Sequence, residues 1–232
     1  MSAFTPHPLD SSRAAMVFRA ERKDRGALVT FCGFDGSGKT TQIEILAERL
    51  RAIGHDVLIT RQPTSWYRQV PEVRSFLDSG AGGERVRMIA LLAAADRLRH
   101  IVDTIDPALA GGQTVLCDRY VFDTFALFTA RGVDTDFLTR INEGVPRPDV
   151  AFYLDVPTPE LLRRLRKRDQ SLKYEERSPE IIDEIKSRYD LLKEMFTVVN
   201  GAATPDIVAD QLLSATVRAL AERRLAPARD ET

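Results

Sequence analysis

The stretch ALVTFCGFDGSGKTTQ, residues 27–42 of the 232, decides how this chain is read. Ala27–Cys32 is short, apolar and partly β-branched, which predicts a buried strand of a parallel sheet. Gly33 to Thr40 fits G-x-x-x-x-G-K-[ST], and Ile43, Leu46, Ala47 and Leu50 follow at helical spacing up to a stop at Gly54. Strand, glycine-rich loop and helix in this order form a phosphate cradle. The backbone N–H groups of Gly36, Gly38, Lys39 and Thr40 are expected to converge at a helix N-terminus, where the helix dipole favours anions. Gly33, Asp35, Gly36, Ser37, Gly38, Lys39, Thr40 and Thr41 are therefore the candidate nucleotide-phosphate residues. Lys39 is expected to reach the β and γ phosphates and the Thr40 hydroxyl to ligate Mg²⁺.

Further strands are predicted over 56–60, 114–117 and 150–154. Helices are predicted over 84–110 with a break near Pro107, and over 122–131, 135–143, 159–168, 179–196 and 206–223. The alternation implies an α/β fold, a doubly wound, mostly parallel five-stranded sheet with helices on both faces. Its ligand site is expected at the carboxyl ends of the strands. Asp118, directly after TVLC, is placed for a catalytic or metal-linked carboxylate. Residues 1–25 mix Pro, Ser and charges without periodicity and read as a poorly ordered leader. Residues 26–225 read as one domain with a small polar lid at about 166–180, and 226–232 as a tail.

With 33 basic against 34 acidic residues the net charge is −1, which points to a small-molecule partner rather than nucleic acid. Cys32 and Cys117 have no partners at metal-binding spacing and fit a reducing cytoplasm. The longest apolar run, 88–95, is far below the roughly 20 residues of a membrane span.

Beyond the phosphate loop, the segments TRQP (60–63), AADRLRHIVDTIDPAL (94–109), DRY (118–120) and RPDVAFYLDV (147–156) precede an Arg-rich helix with a polar lid. Through these segments the chain, over about residues 28–220, resembles the thymidylate kinase family of P-loop nucleoside monophosphate kinases. The resemblance implies ATP as donor, Mg²⁺ as cofactor and a homodimer, with the stretch near 90–95 at the twofold axis. It implies that Arg61, Arg97 and Arg119 surround the acceptor phosphate and that Asp35 contacts the acceptor. Guanidinium forks suit a dianion that must approach an anionic donor. Because Gly36 stands where some relatives carry a loop arginine, the transition-state cation is expected from the lid. Arg164, Arg168, Lys173 and Arg177 are the candidates, with Lys173 at the aligned position and Arg168 beside it.

The resemblance also marks departures. The position of the family's base-stacking ring is Ala93, and its base- and sugar-reading positions are Asp123 and Ala126, Leu127 and Phe128. Gln62 replaces a glutamate, and Thr64 and Ser65 replace glycines. These changes lead to the expectation that dTMP is not the preferred acceptor, with Phe128, Trp66, Tyr67 or Phe125 supplying aromatic contact instead. The residues leave two other readings open: a same-fold kinase of a nucleoside or metabolite hydroxyl, and a non-catalytic nucleotide-binding protein.

Overall fold

A computed structural model describes residues 8–19, 26–80, 83–168 and 171–225. At its centre is β1 (Ala27–Cys32), every residue of which is buried. β3 (Thr114–Asp118) and β4 (Val150–Asp155) flank it, β2 (Val57–Arg61) lies outside β3, and β5 (Thr197–Asn200) lies outside β4. All four pairings are parallel, in the order β2-β3-β1-β4-β5. A strand buried on both faces needs apolar residues at successive positions, which is why β1 reads as a continuous run rather than an alternation.

The period-two geometry of β1 divides the core. Ala27, Val29 and Phe31 face α2 (Lys39–Ala52) and α11 (Pro205–Leu225), meeting Leu46, Leu50 and Leu212. Leu28 and Cys32 belong to the larger cluster on the other face. That cluster is built with α4 (Pro71–Ser79), α5 (Glu84–His100), α7 (Val121–Ala130), α8 (Thr135–Ile141) and α10 (Pro179–Asp190). The doubly wound α/β architecture expected from the sequence is the one observed. The short helix α3 (Ser65–Gln69) leads from β2 towards α4, and α9 (Thr158–Arg166) precedes the lid.

Three expectations need correction. The leader is not structureless throughout: residues 8–19 form α1 (Ser11–Ala15), capped by Asp10, whose carboxylate accepts from the Arg13 N–H at 2.9 Å. Leu9 is 5% exposed, Ala14 and Val17 are 0%, and the Phe18 ring lies 5.7 Å from Phe122 on α7. A helix of five residues is too short to show periodicity, so its anchors are invisible in the sequence pattern. The remainder of 1–25 and the tail at 226–232 fall outside the described residues. The helix expected over 179–196 ends at Asp190. The chain then passes through a 3₁₀ turn at Lys193–Met195 into β5, an edge strand of four residues with only Val199 buried. The break expected near Pro107 is instead a π-helical turn at Ile101–Ile105, leading into α6 (Asp106–Ala110), whose first turn holds the proline.

Leu9→Ala is expected to lower stability by about 2–4 kcal/mol, since it empties a buried site. Thermal or urea unfolding checks this; an unchanged midpoint would mean that the segment is not attached.

Candidate active site

Strand register assembles the site before any side chain is considered. Phe31 and Arg61 both pair with Asp118, so the ends of β1, β2 and β3 lie level with one another. The phosphate loop leaves β1 two residues later. Gly33 has φ 139°, and a Cβ there would sit 2.9 Å from the Leu154 carbonyl oxygen, so β4 leaves no room for a side chain. Gly38 caps α2 in the left-handed region at φ 94°. Lys39 folds back over the loop, its Nζ donating to the carbonyls of Gly33 and Phe34, each at 2.9 Å. Burial, with Arg119 nearby, pushes its pKa down to about 8. A buried ammonium held only by neutral oxygens is ready for an anion.

Asp118 stands opposite the loop. Its Oδ2 accepts from Arg61 Nη2 at 2.7 Å and from the Thr40 hydroxyl at 3.4 Å, whereas its buried Oδ1 has no protein partner. An orphaned carboxylate oxygen beside a loop hydroxyl fits a divalent cation completed by nucleotide phosphates. Among the described residues no cluster of three or more His, Cys, Asp and Glu forms an all-protein metal cage.

The chain turns sharply after Asp118. Arg119 sits at φ 69°, the only non-glycine described with a positive φ, and its N–H donates to the Phe31 carbonyl at 2.9 Å. This turn aims the guanidinium across the loop. It bonds Asp35, Asp123 at 2.6 Å and the Gly33 carbonyl at 3.3 Å. Burial opposes its charge, but Asp35 and Asp123 overcome that and raise its pKa further. Asp35 is likewise desolvated, yet Arg119 and Lys173 hold its carboxyl well below the usual range. Asp123 also caps α7 and accepts from Tyr189, whose phenol is kept protonated by burial and by that carboxylate. Asp123, expected at the acceptor, lines the cleft and also holds Arg119.

Arg97 is 4% exposed and lacks a carboxylate hydrogen-bond partner. Its Nε donates to Gln62 Oε1 at 3.2 Å, one terminal nitrogen to Asn142 at 2.6 Å and the other to Thr124. With five N–H groups, it keeps donors for a ligand. It lines an open cleft together with Asp35, Ala93, Arg119, Asp123, Leu127, Phe128 and Lys173, so most of the predicted acceptor residues come together. Of the proposed aromatic contacts, Tyr67 and Phe128 line the cleft. Phe125 is wholly buried, and Trp66 is 42% exposed beneath Arg99.

The lid lies across this cleft. Lys173 Nζ reaches Asp35 at 2.7 Å, at the phosphate loop. A 3₁₀ turn at Tyr174–Glu176 follows, with Glu175 paired to Arg131 at 2.6 Å and Glu176 to Arg168 at 2.7 Å. Arg168, expected among the catalytic cations, is thus engaged within the lid. Arg177 turns outward to the Asp78 carbonyl at 2.7 Å. Arg164 meets the carbonyls of Gly36 at 3.2 Å and Gly201 at 3.1 Å, touching the loop from α9. Thr124 is the wall residue that helical spacing could have found, one turn before Leu127 and Phe128. Tyr189, Glu175 and Glu176 carry no local signal, because only tertiary packing brings them to the cleft.

A glycine-rich phosphate loop opening a helix, a strand-end aspartate beside it and a cation-lined cleft under a lid define a P-loop phosphotransferase. The family model described as thymidylate kinase matches residues 31–211. A probable thymidylate kinase of Pyrococcus abyssi is 37% identical over 200 residues, covering 82% of this chain and 95% of that protein. The thymidylate kinase of Desulfovibrio desulfuricans is 33% identical over 213 residues, covering 84% and 97%. The chain belongs to the thymidylate kinase family. It is a nucleoside monophosphate kinase, and the reaction is ATP-dependent phosphoryl transfer.

Lys39→Ala is expected to lower kcat by at least about 10²-fold while the unfolding midpoint stays near wild type. A coupled ADP-release assay beside a thermal melt checks both. Near-normal turnover would remove the loop from the chemistry.

Proposed function

We propose that this enzyme transfers the γ-phosphoryl group of ATP to a nucleoside monophosphate whose base it selects only loosely. Gly33, Gly36, Ser37, Gly38 and Thr41 join Lys39 at the donor phosphates. Thr40 and Asp118, whose Oδ1 has no protein partner, would hold Mg²⁺, which would neutralise phosphate charge. Arg61 and Arg119 take the acceptor phosphate, Arg97 meets the acceptor from the α5 wall, and Asp35 fixes Arg119 and Lys173 between the two substrates. Lys173, whose Nζ reaches Asp35 in the phosphate loop, is the lid cation for the transferred group, with Arg164 supporting the loop at the Gly36 carbonyl.

The observation that carries this reading is the contrast between the two ends of the cleft. The phosphate end is dense in fixed charge, whereas the wall at Ala93, Leu127 and Phe128 is apolar and has no side chain at Ala93 large enough to stack. Apolar walls discriminate by one methyl group only about 10- to 200-fold. Assayed over a panel of ribo- and deoxynucleoside monophosphates, the protein is expected to give dTMP a kcat/KM within about tenfold of another pyrimidine monophosphate. A preference for dTMP beyond about 10³-fold would refute loose selection, and turnover of nucleosides alone would refute the acceptor class. In the same assay Arg97→Ala is expected to raise the acceptor KM by about 10-fold or more with little change in the ATP KM.

We further propose that the enzyme is a homodimer through α5. Met88, Leu91, Leu98 and Val102 are 40–60% exposed, and with Ala95, also exposed, they recur at alternating intervals of three and four residues. A continuous apolar stripe of this kind suits a twofold partner helix. Leu98→Glu is expected to halve the mass measured by light scattering; an unchanged mass would place the interface elsewhere. The buried, unpaired Cys32 and Cys117 support a reducing, cytoplasmic setting.

A further inference from the structure

Behind Arg97 lies a hydrogen-bonded chain with no place in the scheme above. Gln62 joins Arg97 to His100: its Oε1 lies 3.2 Å from Arg97 Nε, and its Nε2 lies 3.1 Å from His100 Nδ1. The other imidazole nitrogen, His100 Nε2, lies 2.6 Å from the Thr60 hydroxyl. Donor chemistry fixes every orientation in this chain. A guanidinium only donates, so the oxygen of the Gln62 amide must face Arg97 and its NH₂ must face His100. Nδ1 must then accept, which leaves the proton on Nε2, directed at Thr60.

We propose that His100 is a positioning residue for acceptor binding: as the neutral Nε2–H imidazole it holds the Gln62 amide with its oxygen toward Arg97, and protonation undoes this. An imidazolium carries a second N–H at Nδ1, which would confront the Gln62 NH₂ donor to donor. The amide would have to turn over, presenting NH₂ to Arg97 and withdrawing the bond at its Nε. Charges around the ring do not settle the matter alone. Asp96 and Asp103 favour protonation, Arg97 and Arg99 oppose it, and Thr60 and Gln62, the partners from the β2 end, are neutral. Burial is the largest influence and favours the neutral ring. The sign follows: the network is complete above the imidazole's titration and is lost as pH falls through it.

This inference rests on Arg97 meeting the acceptor. The discriminating variant is Gln62→Glu, because a carboxylate accepts from Arg97 and from a protonated His100 together. It should raise the imidazole pKa and keep the network intact on the acid side. The acceptor KM, ATP KM and kcat are measured from about pH 5.5 to 7.5 for wild type and Gln62→Glu, with ¹⁵N NMR of the histidine ring in the substrate-free protein. The acceptor phosphate itself titrates near pH 6, but equally for both proteins.

The expected result is an Nε2–H tautomer for His100 in the wild type. Its acceptor KM should climb toward low pH by about threefold or more beyond that of Gln62→Glu, while the ATP KM values move together. An Nδ1–H tautomer, or a single acceptor profile shared by both proteins, overturns the proposal even if Arg97→Ala raises the acceptor KM. If Arg97→Ala leaves that KM unchanged, the acceptor reading of Arg97 falls first and the role of His100 falls with it.

Discussion

Arg119 is the point on which the site depends. Its left-handed backbone ends β3 and sends the guanidinium to Asp35 in the phosphate loop and to Asp123 at the start of α7. One cation thus ties the donor loop to the helix that walls the acceptor cleft. The strain of a non-glycine residue at φ 69° is of order 1–3 kcal/mol, and it is held by the carbonyl of Phe31 and by two carboxylates. Buried ion pairs contribute little net stability, because desolvation cancels most of the attraction. What this cluster supplies is geometry: cations held in place before two polyanions meet.

Much of this was legible in the sequence, and for physical reasons. The phosphate loop was readable because a positive φ at Gly33 and Gly38 allows few residue types, and because Lys39 and Thr40 must follow at fixed intervals. β1, β3 and β4 could be placed since strands buried on both faces are apolar nearly throughout, and β2, an edge strand with only Val57 buried, because its apolar run follows the helix stop at Gly54. β5 was not, because an edge strand of four residues with one buried side chain carries almost no pattern. Nor was α1, where Leu9, Ala14 and Val17 reach the core from a segment rich in polar residues. Within the site, the cations were found by type, but their division of labour was not. Whether Arg168 faces the loop or Glu176 is decided by a partner 8 residues away, and that Asp123 holds Arg119 while lining the cleft is visible only once α7 is placed.

The segment around Tyr174 is joined to the body of the protein by several small contacts. Tyr174 packs on Gly80, where a Cβ would come within 2.6 Å of its ring. Arg131 lies between the rings of Phe76 and Tyr174, at 5.0 and 4.4 Å, while also pairing with Glu175. The cation–π contacts each contribute on the order of 1 kcal/mol, and the Arg131–Glu175 pair, largely buried, fixes geometry more than it adds stability.

The two ends of the cleft are constrained very differently. At the phosphate end, Arg61, Asp118 and Arg119 occupy strand ends whose register also pairs the central sheet, so moving them would disturb β1 and β3 together. At the other end, Ala93, Leu127 and Phe128 line the cleft from the faces of α5 and α7 rather than from the sheet. Phe128 is also buried against Phe76, with ring centroids 6.1 Å apart, so a change of size there is felt in the core as well as in the cleft. The phosphate end is therefore tied to the register of the sheet, while the other end is tied to helix packing, where the same side chains, Ala93 and Phe128, serve both the core and the cleft wall.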